Sequence, residues 1–195
     1  MSFAQQRLWL LQQIEPGNPA YNLVGGLHVL GDLDEAAMER SLRALMERHE
    51  TLRTRFGEGE DGPRQIIEPS ARVTLRRRSI GSFDEVADVA AEEGRVPFDL
   101  GTEQPVRALL LRLAPQEHVV ILILHHIACD AWSLGVLLRD WCEFYNAACE
   151  RRAPALAPLP VQYADYAVWQ REWVQKAALP TQVGYWRERL AGLEP

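Results

Sequence analysis

The fold is decided by the stretch HVVILILHHIACDAWS, residues 118–133. Its first part, Val119 to Leu124, is apolar without alternation, which is typical of a strand that is covered on both faces. From Trp132 to Ala148 the apolar residues recur on one broad helical face. A buried strand that passes directly into a long helix predicts a mixed α/β sandwich, with helices laid over a sheet.

The rest of the chain is also predicted to contain both helices and strands. Further helices are predicted over residues 2–14, 34–50, 82–93, 162–176 and 181–190, and further strands over residues 21–30, 51–56, 64–68, 72–80 and 106–113. The helix at 34–50 has the clearest periodicity. Ser82 followed by Glu85 has the form of a capping box that opens a helix.

Composition and charge narrow the class of protein. The 195 residues include 21 Lys and Arg against 27 Asp and Glu, a net charge of −6, which argues against a general nucleic-acid binder. With 47% hydrophobic residues, 13 Gly and 12 Pro, the chain has the composition of one globular domain or lobe. Its longest apolar run is far shorter than the ~20 residues of a membrane helix, so we expect no membrane partner and no export.

The cysteines indicate a reducing setting. Cys129, Cys142 and Cys149 are too few for a disulfide framework, which predicts a cytoplasmic protein. Cys129 is predicted to fill the core rather than to act as a nucleophile, because nothing in the sequence indicates a depressed thiol pKa.

The candidate site lies where the buried strand ends, at His125, His126 and Asp130. Side chains at such strand ends are held rigidly beside a cleft. Adjacent histidines on a strand point to opposite faces, so one is expected to be structural and the other to meet the substrate. Two other interpretations stay open from these residues alone. Both histidines could be core residues bonded to backbone, or His126 and Asp130 could bind a metal, although no third ligand lies near in sequence.

Two other patterns predict surfaces. Arg76-Arg77-Arg78 is predicted to form a solvated edge strand. Tyr166, Trp169 and Trp173 follow helical spacing, which predicts a core or an interface rather than a cofactor site.

Four motifs then appear in order: SFAQQRLWLL (2–11), RHETLRTRF (48–56), HHIACDAWS (125–133) and YADYAVW (163–169). Together they resemble the N-terminal lobe of a condensation domain of nonribosomal peptide synthetases. The resemblance implies a fold like that of chloramphenicol acetyltransferase, with two similar α/β lobes and an active site in a tunnel between them. Residues 1–195 would form one lobe, as a single two-layer α/β sandwich.

The resemblance also implies an activity. In this family the α-amine of an acceptor attacks the thioester of a donor, and both are delivered on the phosphopantetheine of carrier proteins. By position, His126 lies at the reaction centre, supported by His125 and by Asp130, the latter through an arginine pairing. Arg48 and Arg53 match motif arginines with a structural role. The implied partners are donor and acceptor peptidyl carrier proteins, the C-terminal lobe of the same domain and an adjacent adenylation domain, and no cofactor or metal is expected on the chain itself.

One residue departs from the family pattern. Ala131 stands where the motif usually has Gly, and a positive φ there would cost an alanine about 1 kcal/mol. Because a single lobe offers only one wall of the tunnel, we expect the isolated chain to fold but to be inactive. The alternatives are a noncatalytic docking module that recruits carrier proteins or tailoring enzymes, and a stand-alone acyltransferase that uses a soluble acyl-CoA.

Overall fold

The computed structural model describes residues 1–60, 62–174, 176 and 179–192. The helices are Phe3–Ile14 (α1), Glu35–Arg48 (α2), Glu85–Gly94 (α3), Ala131–Glu150 (α4), Tyr163–Trp173 (α5) and Leu179–Arg189 (α6). The strands are Asn22–Leu30 (β1), Thr54–Gly59 (β2), Gly62–Ile67 (β3), Leu75–Ser79 (β4), Val106–Ala114 (β5) and Glu117–His125 (β6). This arrangement confirms the predicted mixed α/β class. Gln175, within the predicted helix 162–176, and Pro195, at the predicted lobe boundary, lie outside the described residues.

The main sheet has four strands in the order β1-β6-β5-β4. β6 pairs antiparallel with both β1 and β5, and β4 pairs parallel with β5 at the edge. β2 and β3 form a separate antiparallel hairpin. β6 is therefore an interior strand, as its continuous apolar run predicts.

Both faces of the sheet are covered by helices. Successive side chains of a strand point to opposite sides, so each strand contributes residues to two cores. On one face, α2 and α4 pack over the even-numbered apolar residues of β5 and β6, in a core that includes Leu42, Leu45, Leu110, Val120, Leu124 and Trp141. On the other face, α1 and α3 help to cover the odd-numbered residues, in a core that includes Trp9, Val89, Leu100, Leu111, Ile121 and Ile123. The end of β6 is thus fixed by two cores at the point where the chain enters α4.

Three predicted elements begin three residues later than the sequence indicates, namely β2 at Thr54, β4 at Leu75 and α3 at Glu85. Residues Glu50–Arg53 form a short 3₁₀ turn before β2, because the Thr54 hydroxyl donates to the Glu50 carbonyl (2.6 Å) and closes the turn. The predicted capping box at Ser82 forms only in part. The Glu85 carboxylate accepts from the Ser82 backbone N–H (3.0 Å), but the helix itself begins at Glu85.

The arginine run lies on the exposed edge strand β4, as predicted. Arg77 points to one side of the sheet and pairs with Glu35 of α2 (2.7 Å). Arg78 points to the opposite side and pairs with Glu92 of α3 (2.8 Å). These arginines therefore neutralise acidic residues of the covering helices.

Candidate active site

The junction between β6 and α4 is held by backbone hydrogen bonds. The N–H of His125 donates to the Pro105 carbonyl (3.0 Å), and the N–H of His126 donates to the Tyr21 carbonyl (2.8 Å). The chain then turns, with the N–H of Ala128 donating back to the His125 carbonyl (2.9 Å). The two histidines are therefore fixed between the start of β5 and the segment before β1.

His125 is the buried histidine of the pair, with 4% of its surface exposed. Its Nδ1 accepts a hydrogen bond from the Ile127 backbone N–H (3.1 Å), and its ring lies near those of Tyr21 and Phe98. Burial, with a smaller effect of the charge of His126, lowers the pKa of His125 to about 4. The ring is neutral near pH 7 and holds the turn.

His126 faces the other way and is exposed. It lines an open cavity of about 460 Å³. The cavity wall includes residues of all four sequence motifs, namely Ala4 and Arg7 of the first, His49 and Thr51 of the second, His126 to Asp130 with Trp132 and Ser133 of the third, and Tyr163 of the fourth. Motifs separated by more than a hundred residues in sequence thus border one space.

The first and fourth motifs also touch directly. Ser2 caps α1, accepting from the Gln5 N–H (3.1 Å), and its Oγ lies 3.0 Å from the Tyr163 hydroxyl. Arg171 of α5 donates to the Met1 carbonyl (2.6 Å). These contacts fasten the start of α1 to α5 beside the cavity.

Asp130 is the N-cap of α4. One carboxylate oxygen accepts from both the backbone N–H (2.8 Å) and the hydroxyl (2.6 Å) of Ser133, and these hydrogen bonds lower the pKa of Asp130. The expected arginine pairing is not formed within the described part of the chain, where no ion pair involves Asp130. A side chain that closes an N-cap is already committed to the helix backbone.

Ala131 is the first residue of α4. Among the non-glycine residues that the structure describes, Arg151 has a positive φ and Ala131 does not. The condition on which a cost at Ala131 depended, a positive φ, is therefore not met, and a helical first turn suits alanine.

Cys129 is buried next to the site. Burial, reinforced by the charge of Asp130, raises the pKa of the thiol to about 12. The side chain stays a thiol at neutral pH, which agrees with the predicted core role.

Sequence reasoning missed Asp140, whose side chain is fully buried in α4. Its carboxylate accepts from Arg48 Nε (2.9 Å), His49 Nε2 (3.0 Å) and Arg139 Nη2 (3.0 Å). Burial alone would raise the pKa of Asp140, but these hydrogen bonds outweigh it and lower the pKa. The available signal was an acidic residue within the apolar helical face that holds Leu137 and Trp141.

The two motif arginines have the structural role expected of them. Arg48 ties the end of α2 to Asp140. Arg53 donates to the Glu68 carbonyl and pairs with Glu50 (3.2 Å), which joins the 3₁₀ turn to the chain after β3.

Comparison with known proteins decides the family. The protein-family model of the condensation domain matches residues 1–195. The chain belongs to the condensation-domain family. It corresponds to the N-terminal portion of such a domain, and the expected fold like that of chloramphenicol acetyltransferase is confirmed by its structural neighbours.

The curated relatives are peptide synthetases. A linear gramicidin synthase of Brevibacillus parabrevis is 44% identical over 201 residues, covering 100% of this chain and 3% of that protein. Phosphinothricin tripeptide synthetase PhsC of Streptomyces viridochromogenes is 40% identical, covering 100% of this chain and 18% of that protein. This condensation-domain chain therefore spans a small part of each relative.

Solved structures match the whole chain as well. The X-domain from teicoplanin biosynthesis is 34% identical with a TM-score of 0.86, covering 100% of this chain and 43% of that one. The starter condensation domain of the rhizomide synthetase RzmA is 24% identical with a TM-score of 0.86, covering 100% of this chain and 48% of that one, and shows the fold alone.

The described ranges offer neither a metal cluster nor a membrane-spanning helix. Residues 1–60, 62–174, 176 and 179–192 contain no group of three or more His, Cys, Asp or Glu side chains arranged to hold a metal ion. In the same part of the chain, no helix has both the length and the apolar character needed to cross a membrane.

Proposed function

We propose that this chain is one lobe of a nonribosomal peptide synthetase condensation domain, and that His126 serves amide bond formation between carrier-bound aminoacyl groups. The observation that supports this most directly is the cavity at the end of β6. His126 borders it, is exposed, and is accompanied by residues of all four motifs. An exposed histidine whose backbone is fixed, in a cleft of convergent motifs, suits proton transfer or orientation of an amine.

In the proposed step one bond forms, one bond breaks and one proton is transferred. The acceptor amine attacks the donor thioester carbonyl, a C–N bond forms, the C–S bond breaks, and the pantetheine thiol leaves. The amine loses one proton, which a neutral His126 imidazole accepts and returns to the leaving sulfur. If His126 instead only orients the amine, its contribution is one of positioning. General-base catalysis is typically worth about 10²–10⁴-fold.

The start of α4 offers donors for the oxyanion of the tetrahedral intermediate. Asp130 occupies the N–H of Ser133 with its carboxylate and that of Leu134 with its carbonyl. Among the described residues, the N–H groups of Ala131 and Trp132 have no such acceptor. Unpaired amides at a helix N-terminus stabilise negative charge.

The proposal includes the partners implied by the family. Phosphopantetheine would arrive on donor and acceptor carrier proteins, and the chain itself would hold no cofactor. A C-terminal lobe would close the cavity, an adenylation domain would stand next to it, and the assembly would work in the cytoplasm. We propose accordingly that residues 1–195 alone are inactive, because one lobe leaves the cavity open to water.

A second candidate is a noncatalytic docking module. The X-domain that is 34% identical to this chain has been solved in a complex with OxyB, so that relative binds another protein. This chain differs from the usual motif at Ala131, in the segment that follows His126 along the chain. These two observations keep docking as the alternative.

The experiment that separates the two is a single-turnover assay on this lobe joined to its second lobe, with donor and acceptor loaded on carrier proteins. Dipeptide formation, together with binding of both carriers, supports the condensation proposal. Carrier binding without dipeptide favours the docking module. Dipeptide formed by residues 1–195 alone would contradict the proposed need for a second lobe.

A further inference from the structure

A second histidine borders the same cavity as His126. His49 is the C-cap residue of α2 and lies in the second sequence motif. It lines the cavity of about 460 Å³ together with His126 and Thr51. Its side chain is 14% exposed, so most of the ring is buried.

The ring of His49 is anchored by Asp140. The His49 Nε2 lies 3.0 Å from Asp140 Oδ2, and the Asp140 side chain is fully buried. Arg48 (2.9 Å) and Arg139 (3.0 Å) donate to the same carboxylate and keep it charged. A carboxylate is only an acceptor, so Nε2 must be the donor in this contact.

This anchoring fixes the tautomer of His49. With the proton on Nε2, the neutral ring presents Nδ1 as a lone-pair acceptor. Burial lowers the pKa of His49 although Asp140 opposes the effect, so the ring is neutral near pH 7. Within the described residues, Nδ1 has no hydrogen-bond donor, and it is the one remaining polar atom of the ring. A carboxylate that orients an imidazole at a cleft is a recurrent way to present a base or an acceptor.

We propose that His49 is a second ligand-binding residue of this cavity, whose Nδ1 accepts a hydrogen bond from an N–H group of the bound substrate. The identity of that N–H group rests on the proposed function. The substrates in that case offer two sources, the amine of the acceptor and the amides of the pantetheine arm. His49 thereby acts on the binding of substrate, while the bond-forming step belongs to His126.

The competing explanation is that His49 only ties α2 to α4. His49→Gln separates the two roles. The glutamine amide can still donate to Asp140, which preserves the tie, but it places no acceptor at the position of Nδ1. His28→Gln is the matched control, because His28 is an exposed histidine paired with Glu117 at the other end of β1.

The test uses NMR of the 195-residue chain with its five histidines labelled with ¹⁵N. Two probes are titrated: pantetheine, which has amides but no amine, and alanine methyl ester, which has an amine but no amide. The proposal predicts a saturable shift of the His49 Nδ1 resonance with one of them. A shift with pantetheine identifies the arm, and a shift with the ester identifies the amine.

The variants supply the second readout. His49→Gln should bind the active probe about two- to ten-fold more weakly, the range of one neutral hydrogen bond, while its urea midpoint stays close to wild type and His28→Gln binds normally. The proposal is overturned if the His49 Nδ1 resonance shifts with neither probe, or if His49→Gln binds the active probe with wild-type affinity. If His126 alone responds, the proposed function stands without this inference. If neither histidine responds, this inference is overturned, and the proposed function is decided separately by the dipeptide assay on the two-lobed domain.

Discussion

His125 makes the stability of the fold depend on pH. In the folded chain its pKa is about 4, because the ring is buried, whereas an unfolded histidine has a pKa of ~6.5. Between these values the unfolded chain binds more protons than the folded chain, so the free energy of unfolding falls as pH falls. Since one pKa unit corresponds to about 1.4 kcal/mol, the loss approaches about 3 kcal/mol at pH 4.

The measurement is urea unfolding at several pH values for wild type and His125→Asn. Asparagine can still accept from the Ile127 N–H but does not titrate. The half-buried His49 contributes in the same direction, so the quantity to compare is the difference between the two proteins. We expect a flatter dependence in the variant between pH 6.5 and 4, and identical slopes would refute the assignment.

Ala131 tests the local backbone at the site. Because it is the first residue of α4 and lacks a positive φ, Ala131→Gly should not stabilise the protein and should cost at most about 1 kcal/mol. Thermal or urea unfolding checks this. A gain in stability would mean that the position has the left-handed conformation after all, and a gain in dipeptide yield without a change in stability would mean that the methyl group narrows the cavity.

At the scale of elements, Asp140 joins α2 to α4. Removing one partner of a buried charge cluster leaves the others uncompensated, which typically costs about 3–5 kcal/mol. Asp140→Ala should therefore destabilise the fold strongly, because Arg48 is itself only 15% exposed. The exposed Asp88 in the first turn of α3 supplies the control, and Asp88→Ala should change the free energy of unfolding by about 0.5 kcal/mol or less. Equal changes in the free energy of unfolding for the two substitutions would contradict the structural role of the cluster.

Elements with strong periodicity are predictable from this sequence, and contacts between them are not. The helical spacing of apolar residues in α2 and the continuous apolar run of β6 are local properties, so both elements are predicted with nearly correct bounds. The opposite orientation of His125 and His126 follows from the strand period alone. The Asp140 cluster, by contrast, requires α2 and α4 to pack side by side on one face of the sheet, and the cap at Asp130 depends on a single rotamer.

The 3₁₀ turn at Glu50–Arg53 shows the same limit. Thr51 to Phe56 has a strand-like composition, yet side-chain to backbone bonds at Glu50 and Thr54 compete with the strand and close a turn. A pattern of apolar residues does not indicate such competition, because it carries no information on side-chain to backbone hydrogen bonds.

At the scale of the whole molecule, α5 exposes a continuous aromatic ladder. Tyr166, Trp169 and Trp173 are 41%, 56% and 49% exposed, and the rings of Trp169 and Trp173 are stacked at 5.7 Å. The interpretation as an interface fits better than burial in the core of this lobe. Exposed apolar surface of this kind promotes association.

We therefore expect residues 1–195 to self-associate as concentration rises, and Trp169→Arg to reduce this. Sedimentation velocity over a wide concentration range is the measurement. Arg64→Ala, a change of an exposed residue on the β2–β3 hairpin, is the control for a general effect of surface charge. A wild-type chain that stays monomeric at high concentration would contradict the prediction.

The central claim is that the cavity at the end of β6 serves condensation through His126. The most direct test is rapid-quench measurement of dipeptide from loaded carrier proteins, comparing wild type, His126→Ala and His28→Ala in the two-lobed domain. We predict that His126→Ala lowers the single-turnover rate by about 10²-fold or more while carrier binding is unchanged, and that His28→Ala keeps the wild-type rate. A His126→Ala protein that forms dipeptide at the wild-type rate would contradict this claim.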